Sequence, residues 1–188
     1  MKRISRYKIL LFLILTLVLI FAIGCENEEA KENPEEDLVE KSETLGGPLT
    51  DFQSLDSEDN TVDESIFEDN EVNLIFVWRT GWPGCVQELS ELAVLQDELS
   101  ERSFEIIGIF ADDIRNTELA EEYKENAGLD ITDILVSESM LPAIENISYV
   151  PYLYFVNSSG EVIGIDKVGT QTAQELKELV EKAFQLIE

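Results

Sequence analysis

The stretch around residues 72–99 constrains this chain more than any other. Val72–Trp78 is a near-continuous apolar run of strand length, the pattern of a central strand covered on both faces. The turn residues of Arg79-Thr-Gly-Trp-Pro-Gly84 follow, and then Val86, Leu89, Leu92, Ala93, Leu95 and Leu99 recur at helical spacing. Phe104–Phe110 is a second apolar run of strand length. Strands alternating with helices in this way imply a mixed sheet covered by helices.

The remaining pattern extends that sheet. Leu49, Phe52 and Leu55, then Thr61-Val62 after the turn-like Asp56-Ser-Glu-Asp-Asn60, predict a short hairpin. Asn116-Thr117 can open a helix that runs to Ala127 and stops at Gly128. Ile131–Val136 is a third apolar stretch, followed by a short helix near 141–147. Tyr149–Val156, the turn Asn157-Ser-Ser-Gly160 and the strand Glu161–Val168 predict a second hairpin. Thr172-Ala-Gln-Glu175 is a capping box for a last helix to about Leu186. Pro151 opens an apolar strand, so it belongs at a strand's first residue or edge, or in a cis turn. The expected fold class is α/β, a mixed central sheet with helices on both faces and an N-terminal β-hairpin.

Residues 1–25 read as a targeting segment, either a cleaved signal or an uncleaved anchor helix, and both readings put the protein on a membrane. Lys2, Arg3, Arg6 and Lys8 precede the apolar Ile9–Ile23, then Gly24 and Cys25. The acidic, apolar-poor residues 26–47 read as a disordered tether. Residues 48–188 form the folded domain. The basic flank stays inside a membrane, which leaves the domain outside.

Charge and composition exclude several functions. The chain carries 40 acidic and 13 basic residues among 188, a net charge of −27. Such a surface repels phosphate backbones, which argues against nucleic-acid binding. There is no histidine, so a His general base, a Ser-His-Asp triad and a His-ligated metal are excluded. Asp56, Asp59 and Asp63 lack the glycine and spacing of a calcium loop. No metal or cofactor is implied.

One candidate for chemistry remains. Cys85 opens a helix after a Trp/Pro/Gly turn, a place where a thiolate is favoured by the helix dipole. Arg79 is close in sequence. Free Cys is also commonly a small buried hydrophobe, and that reading stands beside the reactive one. Glu88 reads as a solvent-facing helix residue or as a carboxylate that accepts a thiol proton. Trp82 reads as surface packing or as a recognition residue.

Taken together, Trp78, Thr80, Cys85 and Glu88 resemble, in register, the active-site stretch W-A-T-W-C-x-x-C-x-x-E of the membrane-anchored TlpA/ResA-like thiol-disulfide oxidoreductases. These belong to the thioredoxin-like AhpC/TSA "redoxin" grouping. Val150-Pro151 and the strand, turn and Gly160 after it match that family's cis-Pro turn. Cys25 after Ala22-Ile23-Gly24 resembles a bacterial lipoprotein signal, which implies a lipidated Cys25 and an extracytoplasmic domain on the bacterial cell membrane. The resemblance covers the chain from about Pro48 onward and implies a three-layer thioredoxin-like fold.

The chemistry departs from the family. Trp82 stands where the family has its first, nucleophilic Cys, so Cys85 takes the second, resolving position. Gly81 replaces the Trp before that Cys, Pro83-Gly84 inverts the common Gly-Pro pair, and Phe76 lies where thioredoxins carry a buried acid. Dithiol exchange needs two thiols, and with Cys25 acylated the chain keeps one. Three readings stay open. In the first, Cys85 exchanges as a monothiol with an extracytoplasmic thiol or disulfide partner. In the second, the fold is redox-inactive and binds peptides along a groove at Trp82, Val150 and Pro151, by strand addition. A one-Cys peroxidase is the third, although Trp82 and Trp78 occupy the spacings of the Thr and Pro that peroxiredoxins use.

Overall fold

The computed structural model describes residues 44–188. The targeting segment with Cys25, and the tether up to residue 43, lie outside the described residues. Strands β1 (Gln53–Leu55) and β2 (Thr61–Asp63) pair antiparallel as the expected hairpin. Then come β3 (Val72–Trp78), α1 (Pro83–Glu98), β4 (Phe104–Phe110) and α2 (Thr117–Ala127). The chain continues through β5 (Thr132–Leu135), the one-turn α3 (Leu141–Ile144), β6 (Tyr152–Asn157), β7 (Val162–Val168) and α4 (Ala173–Ile187). The five long-range strands form one sheet in the order β5-β4-β3-β6-β7. β3, β4 and β5 run parallel, and β6 and β7 run antiparallel to their neighbours.

Alternating residues of β3 serve two cores, as the period of a strand requires. Val72, Leu74, Phe76 and Trp78 pack with Leu89, Leu92 and Leu95 of α1, Ala120 of α2 and Leu176, Val180 and Ala183 of α4. Ile75 and Val77 pack on the other face with Leu49, Phe52, Phe67, Met140 and Ala143. Long helices therefore cover one face, while the N-terminal hairpin, short 3-10 turns and α3 cover the other. All seven residues of β3 are buried, the polar Asn73 included, which its near-continuous apolar run anticipates.

Local chemistry fixes the element ends. The Thr172 side chain accepts from the Glu175 amide and the Glu175 side chain accepts from the Thr172 amide, so the capping box forms. Gly128 ends α2 with φ of 74°, a left-handed conformation that glycine adopts without a Cβ penalty. Gly46 and Gly47, placed by sequence in the tether, are part of the packed structure. The Gly46 amide donates to the Tyr152 hydroxyl at 3.0 Å and the Gly47 amide to the Ala143 carbonyl at 2.7 Å. A Cβ on Gly46 would lie 2.8 Å from the Tyr154 ring, so no larger residue fits there.

A charged cluster lies inside the sheet-helix layer. Lys124 of α2 contacts Asp133 of β5 at 3.0 Å and Glu121 at 2.9 Å. It also donates to the Ile131 carbonyl at 3.0 Å. Burial alone would push the Lys124 ammonium down, but the Asp133 and Glu121 carboxylates outweigh it and raise it. Lys124 and Asp133 are both buried, so each depends on the other to offset its lost hydration.

Candidate functional site

The site sits at the C-terminal end of β3, in the middle of the sheet. Pairing of Val77 with Tyr152 carries Val150 and Pro151 to that same end, beside the turn into α1. The Val150–Pro151 peptide bond is cis, and Pro151 directly precedes β6, one of the positions open to a proline. Trp82 is the N-cap residue of α1, with Pro83 in the first turn, where a missing N–H costs nothing. Gly84 is closely packed: a Cβ there would lie 3.0 Å from Thr170 Oγ1 and 3.4 Å from Pro151 Cδ. The inverted Pro-Gly pair therefore lets three separate segments meet at the start of α1.

Cys85 is fully buried and unpaired. Burial pushes its thiol up to about 11. The Arg79 backbone and guanidinium act in the opposite direction, and the nearby Glu88 adds to the rise. The dipole at the helix start is thus outweighed by desolvation, the reverse of the low-pKa thiols that helix starts can produce.

Glu88 corrects the reading of a solvent-facing residue. It is fully buried one helical turn beyond Cys85. Oε1 accepts the Gln171 amide at 2.8 Å, and Oε2 has no partner. Burial raises its carboxyl to about 8, so at neutral pH it mostly holds its proton, and desolvation remains the main brake on Cys85. Glu91, one turn further, accepts the Ala173 amide at 2.8 Å. Two acidic side chains of α1 thereby accept backbone amides at Ala173, the first residue of α4, and at Gln171 just before its cap. The chain lacks an acid at Phe76, yet Glu88 supplies a buried acid one helical turn from the thiol.

Trp78 ends β3 as a core residue. It stacks on Phe76 and meets Phe110 edge-on, and its indole N–H donates to Asp133 Oδ1 at 2.8 Å. Sequence reading missed Asp133 and Lys124. The available signal was Gly108 inside β4, since an isolated strand glycine often marks a close approach. A Cβ at Gly108 would lie 1.8 Å from Asp133 Oδ1. Asp112 was also missed. Its Oδ2 accepts from the Thr80 hydroxyl at 2.6 Å and from the Thr80 amide at 3.1 Å, pinning the loop that carries Trp82.

Trp82 stands 53 % exposed beside a pocket of about 410 Å3. Val77, Ala111, Ile144 and Val150 form part of its wall, and Arg79, Asp112 and Glu145 are its charged members. Trp82 and Val150 therefore line one cavity, with Pro151 next in the chain. Cys85 is not among the residues lining it. Among the described residues, no group of His, Cys, Asp and Glu is arranged to hold a metal, and no helix is long and apolar enough to cross a membrane.

The AhpC/TSA family model matches residues 45–164, a span that holds the site and all of the sheet except the end of β7. The chain belongs to the AhpC/TSA family. Its fold is thioredoxin-like. A thiol:disulfide interchange protein of the thioredoxin family from Chlorobium tepidum TLS superposes with a TM-score of 0.60 at 16 % identity, covering 76 % of this chain and 99 % of that one. StoA from Bacillus subtilis gives 0.53 at 20 % identity, covering 69 % and 95 %. The thioredoxin domain of a thiol-disulfide oxidoreductase from Bacteroides vulgatus gives 0.58 at 20 % identity, covering 75 % and 98 %. No curated relative matches the chain.

Proposed function

We propose that this protein is a redox-silent, thioredoxin-fold binding module that holds a peptide along the Trp82, Val150 and Pro151 groove. One observation carries the reading. The sole thiol of the motif, Cys85, is fully buried with its pKa near 11, while an exposed Trp82 occupies the outer position. At pH 7 such a thiol is about one part in ten thousand thiolate, and thiolate is the attacking species. The groove keeps the features that recognise an extended chain: the backbone before Pro151 and an aromatic surface beside an apolar pocket. Cys25 lipidation and an extracytoplasmic position on the bacterial membrane are part of this proposal. They rest on the basic, apolar and Gly-Cys pattern of residues 1–25.

Monothiol exchange through Cys85 is the second reading, favoured by a single feature. Glu88 lies one helical turn from Cys85 with an unpartnered Oε2; opening of the site would rehydrate and ionise it, and the carboxylate could then accept a thiol proton. Thiol labelling of the native full chain across pH separates the two. The binding reading expects Cys85 to label only after denaturation, with no disulfide reduction when glutathione is supplied. Rapid native labelling at pH 7, with turnover abolished in Cys85→Ser, would overturn it.

A further inference from the structure

We propose that the pocket beside Trp82 receives an apolar anchor flanked by lysine or arginine, presented by a basic extended segment of a partner protein. The proposal rests on the groove reading above and specifies the chemistry of its occupant.

The apolar part of the inference comes from exposure. Trp82 is 53 % exposed, Tyr149 70 %, Leu141 46 % and Val136 40 %. All four line the same pocket. Single exposed apolar residues are ordinary, whereas a cluster around one concavity marks a contact surface. Neither aromatic side chain donates to a described partner, so their ring faces are free to pack against an incoming side chain.

The basic part comes from charge. Asp112 and Glu145 line the pocket with one cation, Arg79. Arg79 is exposed and makes no ion pair among the described residues. Asp112 is fixed in place by Thr80 and by the Asp113 amide at 2.8 Å. Burial works against its ionisation, but these hydrogen bonds outweigh it and hold its carboxyl low, hence charged. The local balance is negative, and the whole chain adds a field from its net charge of −27. Such a field slows an acidic partner and steers a basic one. A lysine or arginine beside the anchor can also rest over the exposed indole of Trp82, a cation–π contact. A second copy of this chain does not fit, because it carries the same large negative charge.

The test uses the full chain in neutral detergent and three extended peptides of equal length. Each has one central aromatic anchor, flanked by lysine, serine or glutamate. Tryptophan emission reads occupancy: the chain has 2 tryptophans and Trp78 is fully buried, so the response belongs to Trp82. The lysine peptide is expected to bind about tenfold tighter than the serine peptide, and the glutamate peptide weaker still. The difference should shrink at about 0.5 M salt, where screening is strong. Glu145→Lys should erase the preference, while Glu178→Lys, the same charge change on α4 outside the pocket, should largely keep it. Equal binding of all three peptides overturns the basic partner and leaves the groove standing. So does an equal effect of Glu145→Lys and Glu178→Lys, which would reduce the preference to bulk charge. If no peptide alters the Trp82 emission, the groove reading falls as well.

Discussion

Trp82→Cys tests the motif's register one residue at a time. It places two thiols three residues apart at the start of α1, where side chains on one helical face are about 5–6 Å apart, within disulfide reach. The Cys85 amide already donates to the residue 82 carbonyl at 3.0 Å. The oxidised variant should lose labelling at both positions, by peptide mapping in denaturant, and regain it after reduction. Two thiols that stay free under oxidant would show that α1 does not start in that register. Glu88→Gln addresses the buried acid. In the folded chain the Glu88 proton is held up to about pH 8, against an ordinary value of 4.5. The stabilising effect of that proton is therefore complete below about 4.5 and fades as pH rises toward 8. The slope contributed is at most about 1.4 kcal/mol per pH unit. Urea melts from pH 5 to 8 should show wild type losing stability relative to Glu88→Gln.

At the scale of elements, the joint between α2, β5 and β3 is the most sensitive to change. Lys124→Met leaves Asp133 buried without its cation, which in comparable sites costs about 3–5 kcal/mol. Denaturant titration should show a loss of that size. Adding Asp133→Asn should recover part of it, because the uncompensated charge is then gone. No recovery would mean that Asp133 is not carrying charge in the single variant. The Trp78 indole near-ultraviolet dichroism should change along with the loss, since Asp133 accepts its N–H. This joint also explains Gly108: β4 must lack a side chain there for the Asp133 carboxylate to reach Trp78.

For the whole molecule, the net charge of −27 means that like charges repel more strongly in the compact state than in the unfolded chain. Raising salt from about 0.01 M to about 0.5 M shortens the screening length from about 30 Å to a few Å. The thermal midpoint should rise over that range, by calorimetry in a neutral detergent. A midpoint that falls would mean that the exposed ion pairs, such as Lys177 with Glu98 at 2.7 Å, outweigh the repulsion. If the groove prefers basic partners as proposed, salt should weaken recognition while it raises stability.

Much of this protein was legible along the chain, because periodicity and end signals are local. The near-continuous apolar run of β3, the helical spacing of apolar residues in α1, the Thr172 capping box and the turn at Asn157–Gly160 each act within a few residues. The register that puts Trp82 at the outer position of the motif, with a single thiol behind it, is also a property of the sequence. The state of the site was decided elsewhere. Cys85 and Glu88 are covered because β6 and the β7–α4 loop, far along the chain, close over the first turns of α1. Residue type pointed Glu88 toward water, since carboxylates are seldom fully buried. Inside, its Oε1 is met by the backbone amide of Gln171. The pocket beside Trp82 has the same origin, from walls contributed by β3, the Asp112 loop and α3. Helical and strand periods report what one segment buries, and a thiol's ionisation and a cavity's shape depend on which distant segments meet it.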